Sequence, residues 1–278
     1  EGVFEVVNGD AKAIGEAFTD DKRIQKISFT GSTRVGKLLA KNCGETLKKM
    51  TMELGGNAPF IVFDDSPIEE TVAGLVSAKL RNSGQVCISP NRIFLQDGIY
   101  EQFVEQLVAA VAKIRVDQGL QKEFVVGPLI NQMAVDKVSS LVDEAVLNGA
   151  TVRLGGKLHE KGGLFYEPTI LCDLDQSSAV HNTEIFGPVF AIYRFSTEEE
   201  VIRSANNTEY GLVAYAWTRD LGRAFRLSKQ LEAGLVILNP GSVGTASVPL
   251  VVINHSCYRR DGGHYGLEAS LLVIYVPI

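Results

Sequence analysis

Strand-length apolar stretches alternate with segments of helical spacing from the start of the chain to about residue 238, and this alternation limits the fold most. Residues 2–7 read as a short strand closed by Asn8-Gly9, residues 11–18 have helical spacing, and residues 24–29 form a second strand. A helix follows Gly31, and residues 49–53 form a third strand. Strands separated by helices run parallel, because a parallel pair needs a long crossover connection. The expected fold class is therefore α/β, with a sheet covered on both faces. After Gly55-Gly56, the expected domain boundary, the pattern resumes with an apolar strand at 58–63 and a helix over 68–80 capped by Asp65 or Ser66. A strand at 91–96 and helices over 100–113 and 134–148 follow, the last ended by Gly149. Residues 248–253 and 271–276 also read as strands, and the second is a candidate for pairing with the sheet edge of another chain.

Composition excludes several classes. A length of 278 residues can bury the core of one large domain or two moderate ones. A net charge of −6 with no long basic stripe argues against nucleic acid as the main partner. No apolar run is long enough to span a membrane, so no membrane partner is expected. Cys43, Cys87, Cys172 and Cys257 are far apart with no CxxC pair, which fits a reducing compartment and excludes a thiolate zinc knuckle. His159, His181, His255 and His264 show no HxH or HExxH spacing, so no metal is expected.

Two residues carry the chemistry. Cys87 ends the run Arg81-Asn82-Ser83-Gly84-Gln85-Val86-Cys87, among small, polar, turn-forming neighbours that leave a thiol reachable. Glu53 precedes Leu54-Gly55-Gly56, where glycine lets a carboxylate approach a reacting centre closely. A thiol nucleophile and a carboxylate base together fit a covalent cycle whose second step uses an activated water. A buried inert thiol and a surface carboxylate are the equally weighted alternative. Phe29-Thr30-Gly31-Ser32-Thr33-Arg34-Val35-Gly36-Lys37 follows a strand and opens a helix, which suits a phosphate group. Its likeness to a P-loop fails at Leu38, which has no hydroxyl for magnesium, and the usual GxGxxG is absent. A plain strand–helix turn remains open. Glu184 and Phe186 sit on a turn fixed by Gly187-Pro188, which by itself reads as structural. Arg81 could fork onto a carboxylate, or serve the carbonyls at a helix end.

Taken together, Phe29-Thr30-Gly31-Ser32-Thr33, Met52-Glu53-Leu54-Gly55-Gly56-Asn57, Asn82-Ser83-Gly84-Gln85-Val86-Cys87 and Glu184-Ile185-Phe186-Gly187-Pro188 resemble the NAD(P)-dependent aldehyde dehydrogenases, in order and spacing. The resemblance covers residues 2–239 and is greatest to the succinate-semialdehyde branch. It implies Cys87 as the nucleophile and Glu53 as the base that activates water. It also implies Gly31, Ser32, Leu54, Glu184 and Phe186 as contacts to NAD or NADP, and Arg81 as the contact to a substrate carboxylate. The implied architecture is a partial Rossmann-like cofactor-binding unit (1–54), an α/β catalytic domain (55–255) and a C-terminal oligomerisation strand (256–278). A small-molecule aldehyde, a homodimer or homotetramer, and the cytoplasm or mitochondrial matrix are implied as substrate, assembly and location.

Departures define a competing expectation. In the family, the region before the position of Glu1 supplies the first cofactor-binding strands, an oxyanion-hole Asn and a Lys for the adenine ribose. The family's Pro-Phe-Gly-Gly run stands here as Pro249-Leu250-Val251-Val252, with only Ser256, Arg260, Gly262, Tyr265 and Gly266 matching beyond it. The alternative is accordingly a non-catalytic portion of the family that does not bind dinucleotide.

Overall fold

The computed structural model describes residues 2–120, 125–239, 253–258 and 262–277. The chain divides into two compact units, one of Glu1–Gly55 with Thr245–Ile278 and one of Gly56–Gly244.

The first unit is built on a three-stranded sheet. Lys26–Thr30 pairs in parallel with Lys49–Glu53, which pairs antiparallel with Cys257–Tyr258. Helix Thr33–Thr46 makes the parallel crossover, and helix Ala11–Asp20 precedes it. Both helices start where a side chain can accept an otherwise orphaned amide. Asp10 accepts from Ala13 N and Ser32 from Val35 N. The small core joins Ile27, Cys43, Met50, Met52 and Leu54.

In the second unit a seven-stranded sheet runs in the order Leu235–Leu238, Val213–Trp217, Pro59–Val62, Arg92–Gln96, Val189–Phe195, Thr169–Cys172, Thr151–Leu154. Every neighbouring pair is parallel except the last, which is antiparallel. Both faces are covered, which is why the central strands are apolar at successive positions rather than alternately. Phe60, Val62, Ile93 and Leu95 pack with helices Ile68–Leu80 and Tyr100–Val111 through Leu75, Phe103 and Leu107. Ile61, Phe63, Phe94 and Tyr193 form the opposite core with helices Gln132–Leu147 and Glu198–Asn206. Each fully buried Leu or Phe contributes about 2–3 kcal/mol of transfer free energy.

The expected α/β class and most elements are present, with three corrections. Residues 2–7 form no strand, and Val3 and Phe4 are exposed. Among the described residues, their alternation has no neighbouring strand to pair with. Helix Ile68–Leu80 takes Pro67 as its N-cap, with no side-chain cap bond. Asp65 instead accepts from Thr218 Oγ1 and from the amides of Arg219 and Asp220, and Ser66 Oγ donates to the Trp217 carbonyl. Residues 271–277 form no strand, and Val273 and Tyr275 are exposed. A strand exists only within a ladder, and this segment pairs with no strand among the described residues. Of the strand expected over 248–253, residues 248–252 lie outside the described residues, and Ile253 is not in a strand.

One buried side chain ties this core to pH. His181 is fully buried, edge-on to the Phe94 and Tyr193 rings, with neither ring nitrogen hydrogen-bonded to a described residue. Burial, then the charge of Arg92, pushes its pKa down to about 4, against the opposing pull of Asp175. The unfolded chain therefore binds a proton that the folded chain rejects between about pH 4 and 6.5, and stability rises with pH across that window. Urea unfolding at several pH values should show this rise in the native chain and a flatter dependence in His181→Leu. Parallel pH profiles would contradict it.

Candidate active site

The loop carrying Cys87 has an unusual backbone. Helix Ile68–Leu80 stops at Arg81, and Asn82 and Ser83 then take left-handed conformations with φ of 50° and 59°. Such residues persist only where surrounding contacts fix them, at a cost on the order of 1 kcal/mol or more each. Here the contacts are specific. Ser83 Oγ donates to the Gly127 carbonyl at 3.1 Å, and the Gln85 side chain bridges Pro128 and Ile130, accepting from Ile130 N at 2.8 Å. Gly84, at φ +77°, lies so close to the Gly187 carbonyl that a Cβ would sit 2.2 Å from its oxygen. Glycine is required there for both backbone angle and space. Beyond the loop, Tyr215 donates to the Ile88 carbonyl at 2.8 Å. Cys87 is thus half-buried on a held turn, whereas Cys43 and Cys172 are buried.

Glu184 approaches the same region from another segment. Its Oε1 accepts from Gly56 N at 2.9 Å, and a Cβ on Gly56 would lie 2.2 Å from the Cys87 carbonyl oxygen. Burial pushes the Glu184 carboxyl up, while the Gly56 amide and then Lys137 and Lys79 pull it back. Lys79 is fully buried, and desolvation lowers its pKa to about 7. Phe186 lies beside Glu184 with φ 56°. Arg81 is exposed, and with Val86, Ile88, Gly74, Tyr215 and Trp217 it lines a cavity of about 780 Å³.

Gly56, Cys87 and Glu184 all precede strands, at the amino ends of the larger sheet. Open α/β sheets more commonly carry their ligands at the carboxyl ends. What holds three loops at this edge is a buried polar network. Asn57 Nδ2 donates to the His181 carbonyl at 2.9 Å, and Asn91 Nδ2 donates to Asn57 Oδ1 at 2.7 Å and to the Thr183 carbonyl at 2.9 Å. Asn91 Oδ1 accepts from Ile185 N at 3.0 Å. Arg92, fully buried, donates to the carbonyls of Asn57, Ser204 and Ala205. The network links the segments leading to three adjacent strands, Pro59–Val62, Arg92–Gln96 and Val189–Phe195.

Gly31, Ser32, Glu53 and Leu54 belong to the first unit. Glu53 ends the central strand, and its carbonyl accepts from Gly31 N at 3.0 Å. Leu54 is buried with its side chain against Gly36, where a Cβ would meet it at 2.5 Å. Ser32 and Gly31 are exposed at the helix start. Lys79, Lys137, Asn57 and Asn91 carry much of the geometry around Glu184, yet none stands out in the sequence as a site residue. Asn57 closes the motif at 52–57 without any sign of its role, Lys79 and Asn91 lie within eight residues of Cys87, and Lys137 lies near no motif. Among the described residues, no group of three or more His, Cys, Asp and Glu could hold a metal ion.

In this α/β fold a half-buried thiol on a held, strained turn lies beside a segment that secures a half-buried carboxylate. The chain belongs to the aldehyde dehydrogenase family, whose model matches residues 1–276. It is 44% identical over its whole length to the NADP(+) succinate-semialdehyde dehydrogenase of Escherichia coli, covering 58% of that protein. It is 45% identical over 99% of its length to the glutarate-semialdehyde dehydrogenase of Pseudomonas aeruginosa, covering 57% of it. The crystal structure of succinate-semialdehyde dehydrogenase from Burkholderia pseudomallei superposes with a TM-score of 0.93 at 44% identity, covering 96% of this chain and 56% of that one. The chain thus spans a little over half the length of the relatives it matches.

Asn91→Ala should remove the acceptor for Ile185 N and the donor to Asn57 and Thr183, leaving buried groups unpaired at a cost of about 3 kcal/mol. Denaturant unfolding reads this directly. A loss below about 0.5 kcal/mol would show that the network does not hold the edge.

Proposed function

We propose that this chain is the catalytic portion, with part of the cofactor-binding unit, of an NAD(P)-dependent semialdehyde dehydrogenase. The observation that carries the reading is Cys87 on its held left-handed turn, with Arg81 lining the adjacent cavity. In this reading, Cys87 Sγ adds to the aldehyde carbon to form a thiohemiacetal. Loss of hydride from that carbon, with the hydroxyl proton released to solvent, leaves a thioester, and Glu53 takes a proton from the water that hydrolyses it. The dinucleotide, when bound, supplies the hydride acceptor.

The residues present suit such a cofactor. The exposed start of helix Thr33–Thr46, with Gly31 and Ser32, offers amides and the positive end of a helix dipole to a phosphate. Glu184 offers a fixed carboxylate to ribose hydroxyls, and Phe186 offers an aromatic face. Arg81 would fork onto the far carboxylate of a semialdehyde, which agrees with the succinate and glutarate semialdehydes in the names of the relatives.

NAD(P)H formation at 340 nm from succinate semialdehyde is expected, and Cys87→Ala should abolish it. Arg81→Ala should raise KM for succinate semialdehyde far more than for butanal, which lacks the carboxylate. Equal rates for the native chain and Cys87→Ala would overturn the role of the thiol. The absence of binding heat on titration with NAD and NADP would favour the competing, non-catalytic reading.

A further inference from the structure

We propose that Cys257 is a positioning residue for Glu53, orienting the carboxylate through a thiol hydrogen bond. The inference deepens the proposed function and rests on the reading of Glu53 as the base for thioester hydrolysis. The two residues are direct partners in the antiparallel pairing of Lys49–Glu53 with Cys257–Tyr258, so their side chains leave the same face of the sheet. Cys257 Sγ lies 3.7 Å from Glu53 Oε1, in the geometry of a thiol donating to a carboxylate.

The two-residue strand is pinned at several points. Leu54 N donates to the Ser256 carbonyl at 2.8 Å, and Thr33 Oγ1 lies 3.4 Å from the His255 carbonyl as donor. Thr33 Oγ1 in turn accepts from Gly55 N at 3.2 Å. Lys37 Nζ, on helix Thr33–Thr46, lies 3.5 Å from His255 Nδ1. The bonds through Leu54 and Gly55 fix the backbone on which Glu53 stands, so the register of thiol and carboxylate is set by the main chain and not by two mobile side chains.

The chemistry explains why the contact matters. A half-buried glutamate has three side-chain torsions, and a general base must aim one lone pair at a water held next to the thioester. Engaging Oε1 with a fixed donor also fixes the direction of the second oxygen. Hydrogen bonds to an ionised acceptor are stronger than neutral ones, so even the weak thiol donor gains from this partner. The predicted effect therefore falls on hydrolysis of the acyl-enzyme and spares its formation.

An activated ester separates the two steps without a dinucleotide. With 4-nitrophenyl acetate, Cys87 Sγ bonds to the acetyl carbon and nitrophenolate leaves as a burst. Water then adds to the thioester, its proton passes to Glu53, and the Cys87 thiolate leaves. In the 278-residue chain, Cys257→Ala should keep the burst amplitude and slow the steady-state release several-fold. Cys257→Ser, a better donor, should restore most of the rate. Glu53→Gln should lose on the order of a hundredfold in the same phase.

The infrared S–H stretch supplies a readout independent of turnover. The band that disappears in Cys257→Ala should lie at lower wavenumber than those of the other thiols, and should move up in Glu53→Gln. An unchanged steady state in Cys257→Ala, or a Cys257 band indifferent to Glu53→Gln, would overturn the proposal. A missing Cys87-dependent burst would overturn the proposed function itself, and the infrared result would then alone decide whether Cys257 orients Glu53.

Discussion

The buried network of Asn57, Asn91 and Arg92 is the constraint on which the larger unit's site depends. Its bonds join the segments that enter three neighbouring strands, and those segments carry Gly56, the chain just after Cys87, and Glu184. A primary amide both donates and accepts, so one asparagine can satisfy a carbonyl on one loop and an amide on another. Away from water each such bond is expensive to leave unmade, which makes the arrangement close to all-or-none. Arg92 completes it by filling carbonyls that no strand ladder reaches, at the expense of burying a guanidinium whose pKa desolvation lowers to about 10.

Electrostatics follow from that packing. Glu184 is held against Gly56 N in a desolvated position, near Lys79 and Lys137, whose own charges are disfavoured by burial. A carboxylate with a raised pKa and a fixed amide partner is a rigid acceptor and a poor surface ion. On the other side of the same edge, the left-handed turn at Asn82 and Ser83 stores strain that Gln85, Gly84 and the 127–130 segment contain. Both features need close backbone contact, which Gly56 and Gly84 permit.

How much of this was legible depends on the range of the interaction. Local patterns fixed the helix at Ile68–Leu80 and the strands at Pro59–Val62 and Arg92–Gln96, because continuous apolar runs and helical spacing are written within a few residues. Cys87, Glu53, Glu184 and Arg81 could be picked out as candidates because their motifs are also local and resemble those of a known family, although the Glu184 turn taken alone reads as structural. The network roles of Asn57 and Asn91 could not, since the partners of Asn91 lie 34 to 94 positions away and an asparagine before a strand reads as loop. Asp65 misled as a helix cap because groups more than 150 positions later donate to its Oδ2. The strands expected at 2–7 and 271–276 failed for a related reason: a side-chain pattern is present, but pairing needs a neighbour that the pattern does not specify. Cys257 beside Glu53 is likewise a product of strand register, invisible at a separation of 204 residues.

Long-range polar contacts, more than the local sequence, present Cys87 at this edge. A time course of iodoacetamide alkylation, read by peptide mass spectrometry on all four cysteines of the native chain, tests it most directly. Cys87 should label well ahead of the buried Cys43 and Cys172, and Asn91→Ala should change the rate at Cys87 while leaving that at Cys257 unaltered. Labelling of Cys87 only alongside Cys43 and Cys172, or a Cys87 rate untouched by Asn91→Ala, would show that these contacts do not present the thiol.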